Sequence, residues 1–133
     1  MIVETLERAG TLGGDITPVV YKTLFAGHPE LEGFFCNDHD GAVRGEMLAQ
    51  LIGAILDMQE KDYFGSALIR TLAVNHDGFA IGPDIFPTFA DALHQAIRGL
   101  LAPDFSPQAE AAWSGLVRRI HRLTHETFTA GAA

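Results

Sequence analysis

The chain has 133 residues, of which 47% are hydrophobic and 20% charged; this is the size and composition of one folded domain and excludes a disordered or fibrous protein. Its 9 basic and 17 acidic residues give a net charge of −8, which argues against nucleic acid or an anionic membrane surface as a partner. The single cysteine, Cys36, excludes an intramolecular disulfide and a cysteine-based metal site.

Helical signals begin at the N-terminus. A first helix ends at the glycine pair 13–14, and Thr17-Pro18 starts a second helix over roughly residues 16–26, because proline is favoured in a first helical turn. The Gly-His-Pro segment 27–29 then breaks the chain into a short helix. After a polar loop, apolar residues at steps of three and four predict a long helix: Val43, Met47, Leu48, Leu51, Ile52 and Ile55.

The second half of the chain has the same character. One helix carries His76 and ends in segment 78–82, Gly82-Pro83 predicts the start of the next, and Ser106-Pro107 predicts the start of the last. No segment alternates between apolar and polar residues for long enough to predict a sheet. The expected architecture is all-α, with about seven helices in a single domain over residues 1–133.

Neither a targeting segment nor a membrane span is expected. The N-terminal residues 1–8 place acidic side chains early, unlike a signal or transit peptide. Charged or amide side chains interrupt each apolar run before it reaches the ~20 residues that a membrane-spanning helix needs. These features predict a cytoplasmic protein.

Three segments of the chain together carry a family resemblance. Segment 20–35 has a His-Pro break and ends in Phe35, segment 75–84 begins Asn-His-Asp-Gly-Phe, and segment 105–113 begins Phe-Ser-Pro and ends in Trp113. In this order and spacing they resemble the globins, most closely the bacterial single-domain globins and the haem domain of flavohaemoglobins. The resemblance implies a globin-like fold with its helices around a haem pocket.

The resemblance also implies a role for individual residues. His76 matches the proximal ligand of the haem iron, Tyr21 a distal group that donates a hydrogen bond to dioxygen, and Phe35 the ring that packs on the porphyrin. Arg44 matches the distal position often held by histidine or glutamine, and Leu48 lies one turn further on, facing the iron. The implied cofactor is haem b.

A haem pocket also needs apolar walls, because the cofactor is a flat and mostly apolar disc. The wall residues expected to bind the cofactor are Met47, Leu72, Phe79, Ile81 and Phe86. These residues would be ordinary core in any helical bundle. Without the resemblance, a histidine in the position of His76 is more often a surface residue that interacts with the end of its helix than a metal ligand. A tyrosine in the position of Tyr21 is as often a core residue bonded to a backbone carbonyl as a donor to a ligand.

The expected function is reversible binding of a diatomic ligand, either dioxygen or nitric oxide, for oxygen binding, storage and transport or for nitric oxide handling. In flavohaemoglobins a tyrosine and a glutamate pair with the proximal histidine and increase its electron donation; the matching positions here hold Phe86 and Ala130, with Glu126 one turn earlier. The absence of this pair favours reversible binding over oxygen chemistry. Flavohaemoglobins convert nitric oxide to nitrate with an attached reductase domain, so nitric oxide dioxygenase activity here would need a separate reductase as partner. The alternative is a haem-free globin-like sensor or interaction module. The sequence leaves the oligomeric state open.

Overall fold

A computed structural model of the chain describes residues 1–132, and the side chains of residues 1–129. It contains six α-helices and one 3₁₀ helix, and no strand occurs within residues 1–132. The predicted all-α architecture of about seven helices is confirmed. In chain order the elements are α1 (Ile2–Gly13), α2 (Thr17–Gly27), the 3₁₀ helix (Pro29–Phe35), α3 (Ala42–Met58), α4 (Gly65–Asp77), α5 (Thr88–Leu101) and α6 (Pro107–Ala132).

Two of the three proline signals mark helix starts correctly. At α2, Pro18 occupies the first turn and the backbone N–H of Thr17 donates to Asp15 Oδ1 at 3.0 Å. At α6, the N–H of Ala109 donates to Ser106 Oγ at 3.0 Å, so this serine satisfies one of the unpaired donors of the first turn.

The third proline signal is wrong by five residues. Gly82-Pro83 begins a single helical turn, in which the N–H of Phe86 donates to the carbonyl of Gly82, but α5 itself begins at Thr88. The reason is Pro87, which has no N–H to continue the hydrogen-bond ladder. Phe86 therefore lies in a turn ahead of the helix.

The helices pack in two groups, which are joined where α5 packs on α6. α2 and α1 lie against α5, while α3 packs on α4, which in turn packs on α6. The largest fully buried side chain, Trp113 on α6, donates its indole N–H to Thr5 Oγ1 on α1 at 2.8 Å, and Thr5 donates to the carbonyl of Ile2. This bond joins the first helix to the last.

Gly65 allows α3 and α4 to approach closely where α4 begins. A methyl group at this position would collide with the carbonyl oxygen of Ala54 and lie 2.7 Å from Met58 Cγ, both on α3. The residue is buried and its N–H donates to Asp57 Oδ2 at 2.7 Å. The separation of the two helices thus depends on a missing side chain.

No helix within the described residues is long and apolar enough to cross a membrane.

Candidate functional site

An apolar cleft of about 530 Å³ lies between α3, α4 and the segment before α5. This volume is typical of a pocket for a small-molecule cofactor. Eight of the ten predicted cofactor-binding residues line it, and they come from four helices and the turns after α4: Tyr21, Phe35, Met47, Leu72, His76, Phe79, Ile81 and Phe86.

His76 is the titratable side chain of the cleft best suited to bind a metal. Its Nδ1 donates to the carbonyl of Leu72, one turn earlier on α4, at 2.7 Å. This bond selects the tautomer with the proton on Nδ1, so the lone pair that can bind a metal is on Nε2. The Phe86 ring lies beside the imidazole, with 5.0 Å between ring centroids, and therefore limits how the imidazole can turn.

Tyr21 lines the cleft from α2 and is buried, with 2% of its surface exposed. Its ring is held between three others, those of Phe25, Phe35 and Phe89, at centroid distances of 5.2–5.7 Å. Its hydroxyl is buried and has no hydrogen-bond partner. Because an unpaired buried hydroxyl costs about 1–3 kcal/mol, the hydroxyl is a site where a ligand atom would be stabilised.

Burial raises the pKa of the Tyr21 phenol well above its ordinary value. The nearby Arg44 guanidinium acts in the opposite direction and lowers the pKa, and the Asp38 carboxylate raises it. The loss of solvation is the largest of these effects, because a phenolate is costly to bury. The phenol therefore stays protonated and remains a donor throughout the physiological pH range.

The other two predicted residues, Arg44 and Leu48, lie outside the cleft lining. Leu48 is 3% exposed and packs in the core. Arg44 is bound to Asp38: its Nε donates to Oδ2 and its Nη2 to the backbone carbonyl, both at 2.9 Å. The face of α3 that lines the cleft carries Val43 and Met47 instead.

Asp38 fixes this orientation of α3. Its carboxylate accepts hydrogen bonds from the backbone N–H groups of Val43 and Arg44 at 3.1 and 3.0 Å. The residue directly before the helix is Gly41, which has a positive φ of 76° and no side chain that could accept these bonds. Burial alone would raise the pKa of the Asp38 carboxyl, but these two hydrogen bonds and the guanidinium outweigh it and lower the pKa. The ionised carboxylate therefore holds both the helix start and the arginine.

Several lining residues were not predicted as cofactor-binding. Gln50 could have been found, since it follows Met47 by three residues and so shares its helix face. Two others lie on helices, Val43 on α3 and Phe89 on α5. The rest lie in the 3₁₀ helix, at the end of α4 and in the turn before α5, where no periodicity marks the inner face: Leu31, Phe34, Asn75 and Ile85.

Four of the five histidines away from the cleft have hydrogen-bond partners in the protein: His28, His94, His121 and His125. His94 is buried: it stacks on Trp113 at 5.8 Å between centroids, and its Nε2 lies 3.1 Å from Glu110 Oε2. His121 on α6 bonds Asp91 at 2.7 Å. Within the described residues, no three histidine, cysteine or acidic side chains are grouped as they would be for an ion held by the protein alone.

The cleft fits the cofactor that the family resemblance implies. A haem needs apolar walls, one neutral imidazole with an available nitrogen and, for a polar ligand, a donor on the opposite side. The cleft has apolar walls, a single histidine whose Nδ1 is already bonded, and a phenol without a partner.

Comparison with known proteins adds an independent finding. The sequence profile of the Globin family matches residues 19–122. The chain is similar to a flavohemoprotein from Deinococcus radiodurans, with 26% identity over 104 residues. The match covers 77% of this chain and 26% of that protein, so the chain spans about a quarter of its relative's length. No solved structure matches the chain significantly.

Proposed function

Because the chain belongs to the globin family, we propose that residues 1–133 act as one globin domain, which holds haem b in the cleft and reversibly binds a diatomic ligand there. Dioxygen is the proposed ligand, for storage or transport, and nitric oxide is a second one. The observation that carries the proposal is the pairing, across one apolar cleft, of a histidine with its Nδ1 bonded and a buried phenol without a partner.

On the proximal side, His76 and Leu72 act together. The Leu72 carbonyl accepts a hydrogen bond from Nδ1 at 2.7 Å, so Nε2 is the imidazole nitrogen left to bind a metal. Haem iron bound through Nε2 would supply the open coordination position that a diatomic molecule occupies. The role of Phe86, packed on the imidazole, is to keep the ring in one orientation.

On the distal side, Tyr21 supplies the hydrogen bond. Its phenol is protonated, is held by three aromatic rings and lies in an apolar setting. A donor fixed in advance stabilises the partial negative charge on a polar ligand such as dioxygen, at no further cost of reorganisation. Carbon monoxide carries much less of this charge, so Tyr21 favours dioxygen over it.

The surroundings of His76 favour binding over oxygen activation. The nearest ring, Phe86, has no polar atom, and the Nδ1 partner is an uncharged carbonyl. A carboxylate in that place would increase the electron donation of the imidazole. The Ala130 side chain lies outside those described. Turnover of nitric oxide would depend on a separate reductase as partner.

The proposal is tested by absorption spectra of the purified protein with haem supplied, first oxidised, then reduced, then exposed to carbon monoxide. We expect a Soret band that moves at each step, because a single histidine ligand leaves one position open to carbon monoxide. Failure to retain haem through a desalting column would contradict the proposal and favour the haem-free sensor or interaction module.

The Tyr21→Phe variant tests the distal role. Removing the hydroxyl is expected to raise the dioxygen dissociation rate about tenfold, for the ~1.4 kcal/mol that one such hydrogen bond contributes. The rate is measured by stopped flow with carbon monoxide as the displacing ligand. The matched control is Tyr63→Phe, since Tyr63 is the other tyrosine and is 79% exposed. Equal dissociation rates in the two variants would leave Tyr21 a packing residue.

A further inference from the structure

A second cavity lies behind Tyr21, on the side away from the cleft. It measures about 660 Å³ and is bounded by the start of α2, the 3₁₀ helix and the loop before α3. Its wall is more polar than that of the cleft and includes charged and hydroxyl side chains: Asp15, Thr17, Lys22, Glu32, Asp40 and Arg44. Water therefore fills this cavity more readily than it fills the cleft.

Among the described residues, Tyr21 is the one that lines both cavities. Its side chain is 2% exposed and its hydroxyl has no partner. Tyr21 is therefore part of the barrier between the second cavity and the cleft. Rotation of a side chain is far faster than an opening movement of helices.

The wall around Tyr21 is held by hydrogen bonds, whereas the Tyr21 hydroxyl has no partner. Next to the phenol, the Arg44 guanidinium donates one hydrogen bond to the Asp38 carboxylate and one to the Asp38 backbone carbonyl. The same carboxylate accepts hydrogen bonds from backbone N–H groups at the start of α3. On the cleft side, α3 presents the apolar side chains of Val43 and Met47 and, three residues after Met47, the amide of Gln50.

From this arrangement we propose that the diatomic ligand enters and leaves through the second cavity, past Tyr21. This inference rests on the proposed function, since it concerns the ligand of that same cleft. It assigns Tyr21 a role beyond hydrogen bonding: the residue also separates the ligand from solvent. It makes the second cavity a place where a small uncharged gas molecule waits between solvent and the binding site.

A route and a binding contact have different kinetic signatures. Obstructing a route raises one barrier that both directions cross, so association and dissociation slow by the same factor and affinity is unchanged. Loss of a contact to the ligand mainly changes the dissociation rate. Comparing the two rates therefore separates a route through the second cavity from a change at the distal site.

The test is Thr17→Trp, which puts a large ring into the second cavity at a residue outside the cleft lining. Flash photolysis of the carbon monoxide complex is expected to show slower association and slower dissociation, each by about fivefold or more, with more of the photolysed ligand rebinding before it escapes. The Soret maximum and the carbon monoxide stretching frequency stay as in the parent protein.

Two further variants complete the design. Thr23→Trp is the matched control, because it adds the same ring on the same helix but faces the groove between α2 and α5. Val43→Trp obstructs the exposed rim of the cleft. Normal rates in Thr17→Trp with slowed rates in Val43→Trp would overturn the inference and assign the route to the cleft mouth. Normal rates in all three variants would overturn it as well. Loss of the Soret band in the parent protein would instead refute the proposed function.

Discussion

Replacing His76 with glycine is expected to abolish stable haem binding and the spectrum of a histidine-ligated iron. The Nε2 lone pair of this residue is the metal ligand we propose in the cleft, and within the described lining there is no other histidine, cysteine or carboxylate to replace it. Free imidazole, added at millimolar concentration, is expected to restore the spectrum, because it fits the space that the side chain vacates.

His125→Gly is the matched control for this experiment. His125 has the same local geometry on α6, with its Nδ1 bonded to the carbonyl of His121 one turn earlier at 2.8 Å, but it is exposed and away from the cleft. Each variant puts a glycine in a helix, at a similar cost of about 1 kcal/mol. A normal spectrum for His76→Gly would remove the proximal assignment, and equal losses in both variants would indicate general destabilisation.

Gly65→Ala is expected to destabilise the protein by about 3 kcal/mol, at the upper end of the range for overpacking. The added methyl group meets the Ala54 carbonyl, which is backbone and cannot rotate away, and Met58 Cγ at 2.7 Å. To relieve the collision, α4 must move away from α3. Since α4 carries His76 and α3 carries Met47, the shift widens the cleft and is expected to speed haem loss.

Gly53→Ala is the control, and its effect is expected to have the opposite sign. Gly53 lies inside α3, and a methyl group there would meet nothing within 4 Å. Alanine is favoured over glycine in a helix by about 0.5–1 kcal/mol, so this variant should unfold at higher denaturant concentration. Urea unfolding monitored by circular dichroism measures both changes, and a Gly65→Ala protein as stable as the parent would disprove the close-packing argument.

The sequence predicted the number and kind of helices well, because the apolar residues recur with a helical period. It located helix starts less well where two prolines compete: Pro83 opens a turn, but the missing N–H of Pro87 decides where α5 begins. Local signals alone do not rank one proline above another.

The orientation of α3 was harder to predict, for a different reason. A shift of one residue turns a helix by about 100°, so periodicity distinguishes poorly between Arg44 and Val43 as the residue facing the cleft. The decision depends on Asp38, which lies in the loop and binds both the helix start and the arginine. A side-chain interaction of this kind leaves no periodic signal in the sequence. The burial of His94 likewise leaves no periodic signal, since its partner Trp113 is on another helix.

The bond between Trp113 and Thr5 joins residues 108 positions apart in the chain. During synthesis from the N-terminus, α1 is therefore made long before its partners: its buried face, with Ile2 and Ala9, has nothing to pack on until α5 has been made, and Thr5 has no indole partner until α6 has been made. Contacts of such long sequence range slow folding, because a large loop must close first. We therefore expect α1 to dock late, as the step that completes the fold around an already assembled α2–α6 body.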